Sequence, residues 1–124
     1  KFELPRAPVL FELDLTSLLT SGLPTARAGS RLPVVRRDLA VVVADTLPAQ
    51  AILTALNGAK PAHVDTVSLF DVYRGPGIEP GKKSLAILVL MQDTERTLTD
   101  VEIDATMAGL LQVLASRFDA TLRR

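Results

Sequence analysis

Apolar and polar positions change period several times along these 124 residues, and each change marks an element. Arg37 to Ala44 (RDLAVVVA) is a β-branched apolar run and predicts a buried strand. Pro48 stands where a helix begins, its fixed φ and missing N–H suiting the first helical position. Ile52, Leu53 and Leu56 then form an i, i+1, i+4 face, and Asn57-Gly58 is expected to stop that helix. Val64 to Tyr73 reads as a second strand. Arg74 to Gly81 holds three Gly and two Pro in eight residues, a turn, so Lys83 to Gln92 is expected to return as the third strand of a hairpin. The next helix carries the strongest local signal. Thr99 at N-cap with Glu102 at N3 makes a capping box, flanked by Leu98 and Ile103 as a hydrophobic staple. Asp100, Glu102 and Asp104 crowd the positive end of its dipole. Ile103, Met107, Leu110, Leu111, Leu114 and Phe118 form one apolar stripe. Asp119 to Arg123 is expected to close the pattern as a last short strand.

The first thirty residues read differently. Val9 to Leu15, apolar with two acids, predicts a short strand, and Thr16 to Leu19 one helical turn. Ser21 to Ser30 is a linker by composition, with two Gly, one Pro, two Ser and no period, which places a domain boundary near Ser30. No Met precedes Met91, so the chain is expected to be a piece of a longer protein, with its first segment the last strand of a preceding domain. Over residues 32–124 the order is β-α-β-β-α-β, which predicts an α+β, ferredoxin-like sandwich. Right-handed crossovers place both helices on one face of a four-stranded antiparallel sheet and leave the other face open.

Side chains alternate along a strand, so the open face can be assigned position by position. Leu85, Ile87, Val89 and Met91, large and branched, are expected beneath the helices. Ser84, Ala86, Leu88 and Leu90 are then expected on the open face with Ala40. Asp71 and Tyr73 share a parity with Leu69 and Val67, which leaves their side unassigned. Small side chains at the centre of a sheet let a flat ligand approach the backbone, with Ser and Asp offering hydrogen bonds to a base. The same small residues equally suit a face turned to solvent or to a neighbouring domain. Leu88, Leu90 and Val42 require that something covers part of that face, either the N-terminal segment or the rest of a longer protein.

Composition narrows the function classes. No Cys excludes disulfides, Cys-ligated zinc, iron–sulfur clusters and thiol nucleophiles, and a single His, His63, leaves no second imidazole for a His-based metal site. His63, just before a strand, is expected at the surface. There is no His/Asp/Ser constellation, and Gly75-Pro76-Gly77 joins two strands, so it is a turn and not a phosphate cradle. No apolar run reaches the ~18 residues of a membrane span. The charges balance, 14 basic against 14 acidic, so any pull on a polyanion must be local. Arg31, Arg36, Arg37, Arg74, Lys82, Lys83, Arg123 and Arg124 fall at strand ends or in the hairpin turn, while Asp93, Glu95, Asp100, Glu102 and Asp104 surround the second helix start. The expectation is a basic rim and an acidic pole.

Four motifs then stand in a recognisable order: Leu32-Pro33-Val34-Val35-Arg36-Arg37-Asp38-Leu39-Ala40, Leu69-Phe70-Asp71-Val72-Tyr73-Arg74-Gly75, Gly81-Lys82-Lys83-Ser84-Leu85-Ala86 and Gln92-Asp93-Thr94-Glu95-Arg96-Thr97-Leu98-Thr99-Asp100. With the closing Phe118-Asp119-Ala120-Thr121-Leu122-Arg123 they resemble the ferredoxin-fold anticodon-binding domain at the C-terminus of the bacterial phenylalanyl-tRNA synthetase β subunit. The resemblance covers residues 31–124. Phe11-Glu12-Leu13-Asp14 resembles the tail of the synthetase-like, catalytically inert domain that precedes it, so residues 1–30 are expected to be that tail and its linker.

This resemblance implies that the domain grips the anticodon loop of phenylalanine tRNA and holds the first anticodon base, a guanine, on the open face. Asp71 and Ser84 are then the expected hydrogen-bond partners, Ala40 lies against the base and Arg123 contacts it. Arg36, Arg37, Arg74, Lys82 and Lys83 are candidates for backbone phosphates. Asp71 as acceptor suits guanine, whose N1–H and N2 amino group both donate, and an unpaired loop leaves that edge readable. The resemblance also implies a cytoplasmic location, no catalytic centre, metal or cofactor on this chain, and ATP and magnesium used elsewhere in the parent enzyme. The implied partners are tRNA, the rest of the β subunit and the α subunit of a heterotetramer, with neither membrane nor DNA among them. The alternative is a ferredoxin-like protein-interaction or small-ligand regulatory domain. The basic rim and the Asp71/Ser84 pair favour tRNA; the leucines favour the alternative.

Overall fold

A β-branched run can bury both edges of its backbone only between two neighbouring strands, and that is where the chain places it. The computed structural model describes residues 7–20, 22, 25 and 30–123. Its elements are α1 (Leu15–Leu19), β1 (Val35–Ala44), α2 (Ala49–Ala59), β2 (Val64–Tyr73), β3 (Lys82–Met91), α3 (Asp100–Phe118) and β4 (Thr121–Leu122). The strands form one sheet in the order β2-β3-β1-β4, every pair antiparallel. Leu39, Val41 and Val43 of β1 and Leu85, Ile87, Val89 and Met91 of β3 share a core with Ile52 and Leu56 of α2 and Ile103, Leu110 and Leu114 of α3. Both long helices therefore cover the same face. Among the described residues no helix is long and apolar enough to cross a membrane.

Several element ends differ from expectation, each for a local reason. β1 begins two residues early, at Val35, because β3 offers partners out to Met91. Pro48 is the N-cap of α2 and not its first helical residue. Asn57-Gly58 does not stop that helix. Asn57 donates its amide to the Leu53 carbonyl at 2.9 Å, and the helix runs on to Ala59. It ends because Lys60 precedes Pro61, and a residue before proline is pushed out of the helical region; Lys60 sits at φ −66°, ψ 138°. The strand expected over Val9 to Leu15 is absent. No neighbouring strand is there to pair with it, and the Asp14 carboxylate instead accepts from the Thr16 N–H at 2.8 Å and caps α1. All described residues from 7 to 20 are exposed, so this segment does not cover Leu88 and Leu90. The linker expected from Ser21 to Ser30 lies outside the described residues except for Gly22, Thr25 and Ser30, as does Arg124.

The hairpin between β2 and β3 is made of two consecutive turns, Gly75 to Ile78 and Glu79 to Lys82, each closed by a backbone hydrogen bond, at 3.1 and 3.0 Å. Each has Pro second and Gly third, and the third residues, Gly77 and Gly81, have φ of 89° and 79°. That is the pattern of a type II turn, which needs positive φ at its third position. Gly81→Ala is expected to destabilise the chain by about 1–2 kcal/mol, the cost of a left-handed non-glycine residue. Chemical denaturation checks this, and an unchanged midpoint would contradict it.

The capping box forms as expected. Glu102 N–H donates to Thr99 Oγ1 at 3.4 Å and Thr99 N–H to Glu102 Oε2 at 2.9 Å. Arg96 adds a bidentate ion pair to Glu102, one arm at 2.8 Å. The Arg96 side chain, with the Thr99 N–H and hydroxyl, holds the Glu102 carboxyl well below its usual range. A carboxyl depressed in the folded state contributes stability above its unfolded pKa of about 4.3, lost as pH falls through the folded value. The thermal midpoint of the chain is therefore expected to drop below about pH 4 more steeply than that of Glu102→Gln. Parallel melting profiles would contradict this.

Candidate nucleic-acid interface

The open face is ordered by the strand register. Residues directly opposite on neighbouring strands share a face. Arg123 donates its N–H to the Ala40 carbonyl at 2.9 Å, Ala40 pairs with Ala86, and Ala86 pairs with Asp71. This gives one row across all four chain segments: Arg123, Ala40, Ala86, Asp71. The next row is Thr121, Val42, Ser84, Tyr73. Ala40, Asp71, Ser84 and Arg123 are thus brought to one surface, opposite the helices.

Asp71 reaches that surface because β2 breaks its own alternation. Val67 and Leu69 pair with Val89 and Ile87 on the helix side, but a bulge between Leu69 and Asp71 inserts Phe70 as an extra residue. The bulge changes the phase, and Asp71 and Tyr73 emerge on the opposite face from Val67 and Leu69. Asp71 Oδ1 accepts the Val72 N–H at 2.8 Å, and among the described residues its carboxylate makes no ion pair. Oδ2 is left as an acceptor.

Arg123 extends over this floor. Its guanidinium carbon lies 4.7 Å from the centroid of the Tyr73 ring, so the Arg123 side chain, coming from the β4 edge, and the Tyr73 ring, leaning in from β2, meet over β1 and β3. Only small residues beneath them permit that contact: Ala40, Ala86 and Ser84. The arginine has no carboxylate partner among the described residues, and the ring face attracts the cation in its place. Ser84 shares the face with Asp71 but is only 2 % exposed. The Tyr73 ring is fixed in turn by the hairpin: its hydroxyl donates to the Pro76 carbonyl at 3.1 Å, and its phenol end lies against Gly75.

The basic rim needs correction. Lys82 and Lys83, like Arg36 and Arg37, are consecutive, so only one of each pair can point to the open face. Lys83 is the one turned away: it is 6 % exposed and its Nζ donates to the Asp45 carbonyl at 2.7 Å. Arg37 pairs with Val89, on the helix side, and donates to the Arg36 carbonyl at 3.0 Å. Arg36 is on the open face, paired with Asp38 at 3.2 Å. Arg74 holds Asp45 at 2.6 Å and Lys82 holds Glu79 at 2.7 Å, both at the hairpin. Nor is there one basic and one acidic end. Antiparallel pairing puts Val35 beside Met91, so Arg36 and Arg37 lie at the Asp93 end of the sheet, eight residues of strand from Lys82.

His63 is at the surface as expected but half-buried, with Nε2 2.7 Å from Thr106 Oγ1 of α3. It lines a cleft of about 140 Å³ with Ala62, Gln92, Asp93 and Thr94. Sequence reading missed the Arg123–Tyr73 stack, the Asp45 carboxylate and carbonyl as a shared anchor for Arg74 and Lys83, and the Gly75 contact. The one available signal was the small-residue set at 40, 84 and 86, which leaves room for a long side chain to lie flat.

Comparison with known proteins accords with this geometry. A family model described as "Ferredoxin-fold anticodon binding domain" matches residues 30–123. The phenylalanine–tRNA ligase β subunits of Thiobacillus denitrificans, Nitrosospira multiformis and Aromatoleum aromaticum are 50%, 47% and 45% identical to the chain, over 98–99% of its length. The chain spans 16% of the length of each. With the sheet order, the open face and these matches together, the chain belongs to the ferredoxin-fold anticodon-binding domain family.

Proposed function

We propose that the open face holds an unpaired guanine of the phenylalanine tRNA anticodon loop, as one part of a phenylalanine–tRNA ligase β subunit. The observation that carries this reading is that two charges without an ion-pair partner among the described residues, Asp71 and Arg123, stand in one row across an alanine floor. Guanine presents donors at N1 and N2 and acceptors at O6 and N7. Asp71 accepts from the first edge and Arg123 donates to the second, while Ala40 and Ala86 let the ring approach the backbone. Ser84, in the next row of the same face, joins the contact. Adenine keeps the N7 acceptor but has an acceptor at N1, no amino group at C2 and a donor in place of O6, and is refused.

Arg36, Arg74 and Lys82 remain as phosphate contacts; Lys83 and Arg37 are not part of this reading. Arg36→Ala is expected to lower affinity for all tRNAs alike, because phosphate contacts carry no base information. A loss that depends on the anticodon base would contradict that role. In this reading ATP and magnesium act elsewhere in the parent enzyme. The same reading implies a cytoplasmic location and contacts with the rest of the β subunit and with the α subunit.

Footprinting of phenylalanine tRNA by the chain tests the reading. Protection confined to the anticodon loop, lost steeply as salt rises, is expected. Protection elsewhere, or none, overturns it. Binding insensitive to salt would favour a protein-docking face built on the half-exposed Leu88 and Leu90.

A further inference from the structure

Nothing in the base-reading account explains why the first turn after β2 should begin with a glycine. Gly75 does not need one for its own backbone, since its φ is not positive. The reason lies in Tyr73. A Cβ at position 75 would stand 2.7 Å from the Tyr73 phenolic oxygen, 2.9 Å from Cζ and 3.3 Å from Cε2. The first two distances lie inside van der Waals contact, so any side chain here pushes the ring away. The ring is also tied at its far end, where the hydroxyl donates to the Pro76 carbonyl at 3.1 Å. These two constraints set where the ring face points, and that face carries the Arg123 guanidinium.

We infer that Gly75 and Pro76 are positioning residues for the base site: by an absent Cβ and an accepting carbonyl they hold Tyr73 where it keeps the Arg123 donor fork above Ala40, Ala86 and Ser84. The first of the two hairpin turns, Gly75 to Ile78, touches neither base nor phosphate in this account. It acts through Tyr73 on Arg123, and so on the acceptor edge of guanine. The inference rests on the function proposed above and adds the part of the chain that sets its selectivity.

The test uses the whole chain and two short single-stranded RNAs that differ only by guanine or adenine at one position. Tyr73 is the only tyrosine, so the ring-current shift of the Arg123 δ-protons in NMR reports the stack without interference from a second tyrosine. In the unaltered chain those protons are expected upfield and the guanine RNA is expected to bind better. In Gly75→Ala the upfield shift is expected to collapse, and the preference for guanine over adenine to fall about fivefold or more, the scale of a lost directional base contact. Tyr73→Phe, which removes the bond to Pro76 and leaves position 75 untouched, is expected to move both readouts in the same direction by less. Gly58→Ala in α2, where a Cβ meets nothing within 4 Å, is the control and should change neither. An upfield shift that persists in Gly75→Ala overturns the inference, as does a shift that is lost while guanine preference stays intact; both leave the proposed function standing. Equal binding of the two RNAs by the unaltered chain overturns the proposed function and this inference with it.

Discussion

Asp71→Ala is expected to weaken binding of a guanine-bearing anticodon loop by about 1–3 kcal/mol and to leave a loop without that guanine unaffected. The effect is expected to be large because, in the proposed reading, the carboxylate is the one acceptor for the N1–H and N2 donors, and no cation of the protein competes for it among the described residues. Asp71 also accepts the Val72 N–H at 2.8 Å within the bulge, so alanine removes a local bond together with the base contact. Asp71→Asn separates the two. Its amide oxygen can keep the Val72 bond, but its NH₂ group meets the guanine donors with another donor. Affinity for guanine should therefore fall in Asp71→Asn as well, with the melting temperature unchanged. Equal loss for loops with and without guanine, measured by titration, would remove Asp71 from base reading.

Leu85→Ala is expected to cost about 2–5 kcal/mol of folding stability, the range for truncating a buried leucine. Leu85 is fully buried in β3, a central strand, opposite Val41 on one side and Val72 on the other. The cost has two parts, lost transfer free energy and the cavity that β-sheet neighbours cannot collapse to fill. Its neighbours in sequence, Ser84 and Ala86, point to the other face, so the cavity opens away from the base site. Leu85→Ala should lower the denaturation midpoint and leave guanine preference intact at temperatures well below unfolding. Asp71→Asn should do the reverse. A loss of selectivity in Leu85→Ala while the chain remains folded would mean that the two faces are coupled, contrary to this account.

The sequence was legible wherever a signal is local. Thr99 and Glu102 satisfy each other within one helical turn, so the start of α3 is readable from four residues. The apolar runs of β1 and β3 mark the two central strands, and the larger of the two alternating sets in β3 marks the buried side. Ala40, Ser84 and Ala86 follow from that alternation alone. Asp71 does not, because one inserted residue, Phe70, reverses the parity, and a bulge leaves no period in a strand of ten residues. The Arg123–Tyr73 stack depends on the register of a two-residue strand and on two side chains meeting over the strands between them, neither of which has a local signature. Lys83 was misplaced for the opposite reason: two adjacent lysines look like one basic patch until alternation sends one of them inside. The family resemblance supplied Asp71 and Arg123 as candidates, and the register explains why residues fifty positions apart share one row of the open face.

NMR titration of the chain with a single-stranded loop carrying guanine tests the central claim most directly. The account predicts that amide shifts concentrate at Ala40, Asp71, Ala86 and Arg123. Shifts concentrated on α2 and α3, or on the exposed residues 7–20, would contradict it.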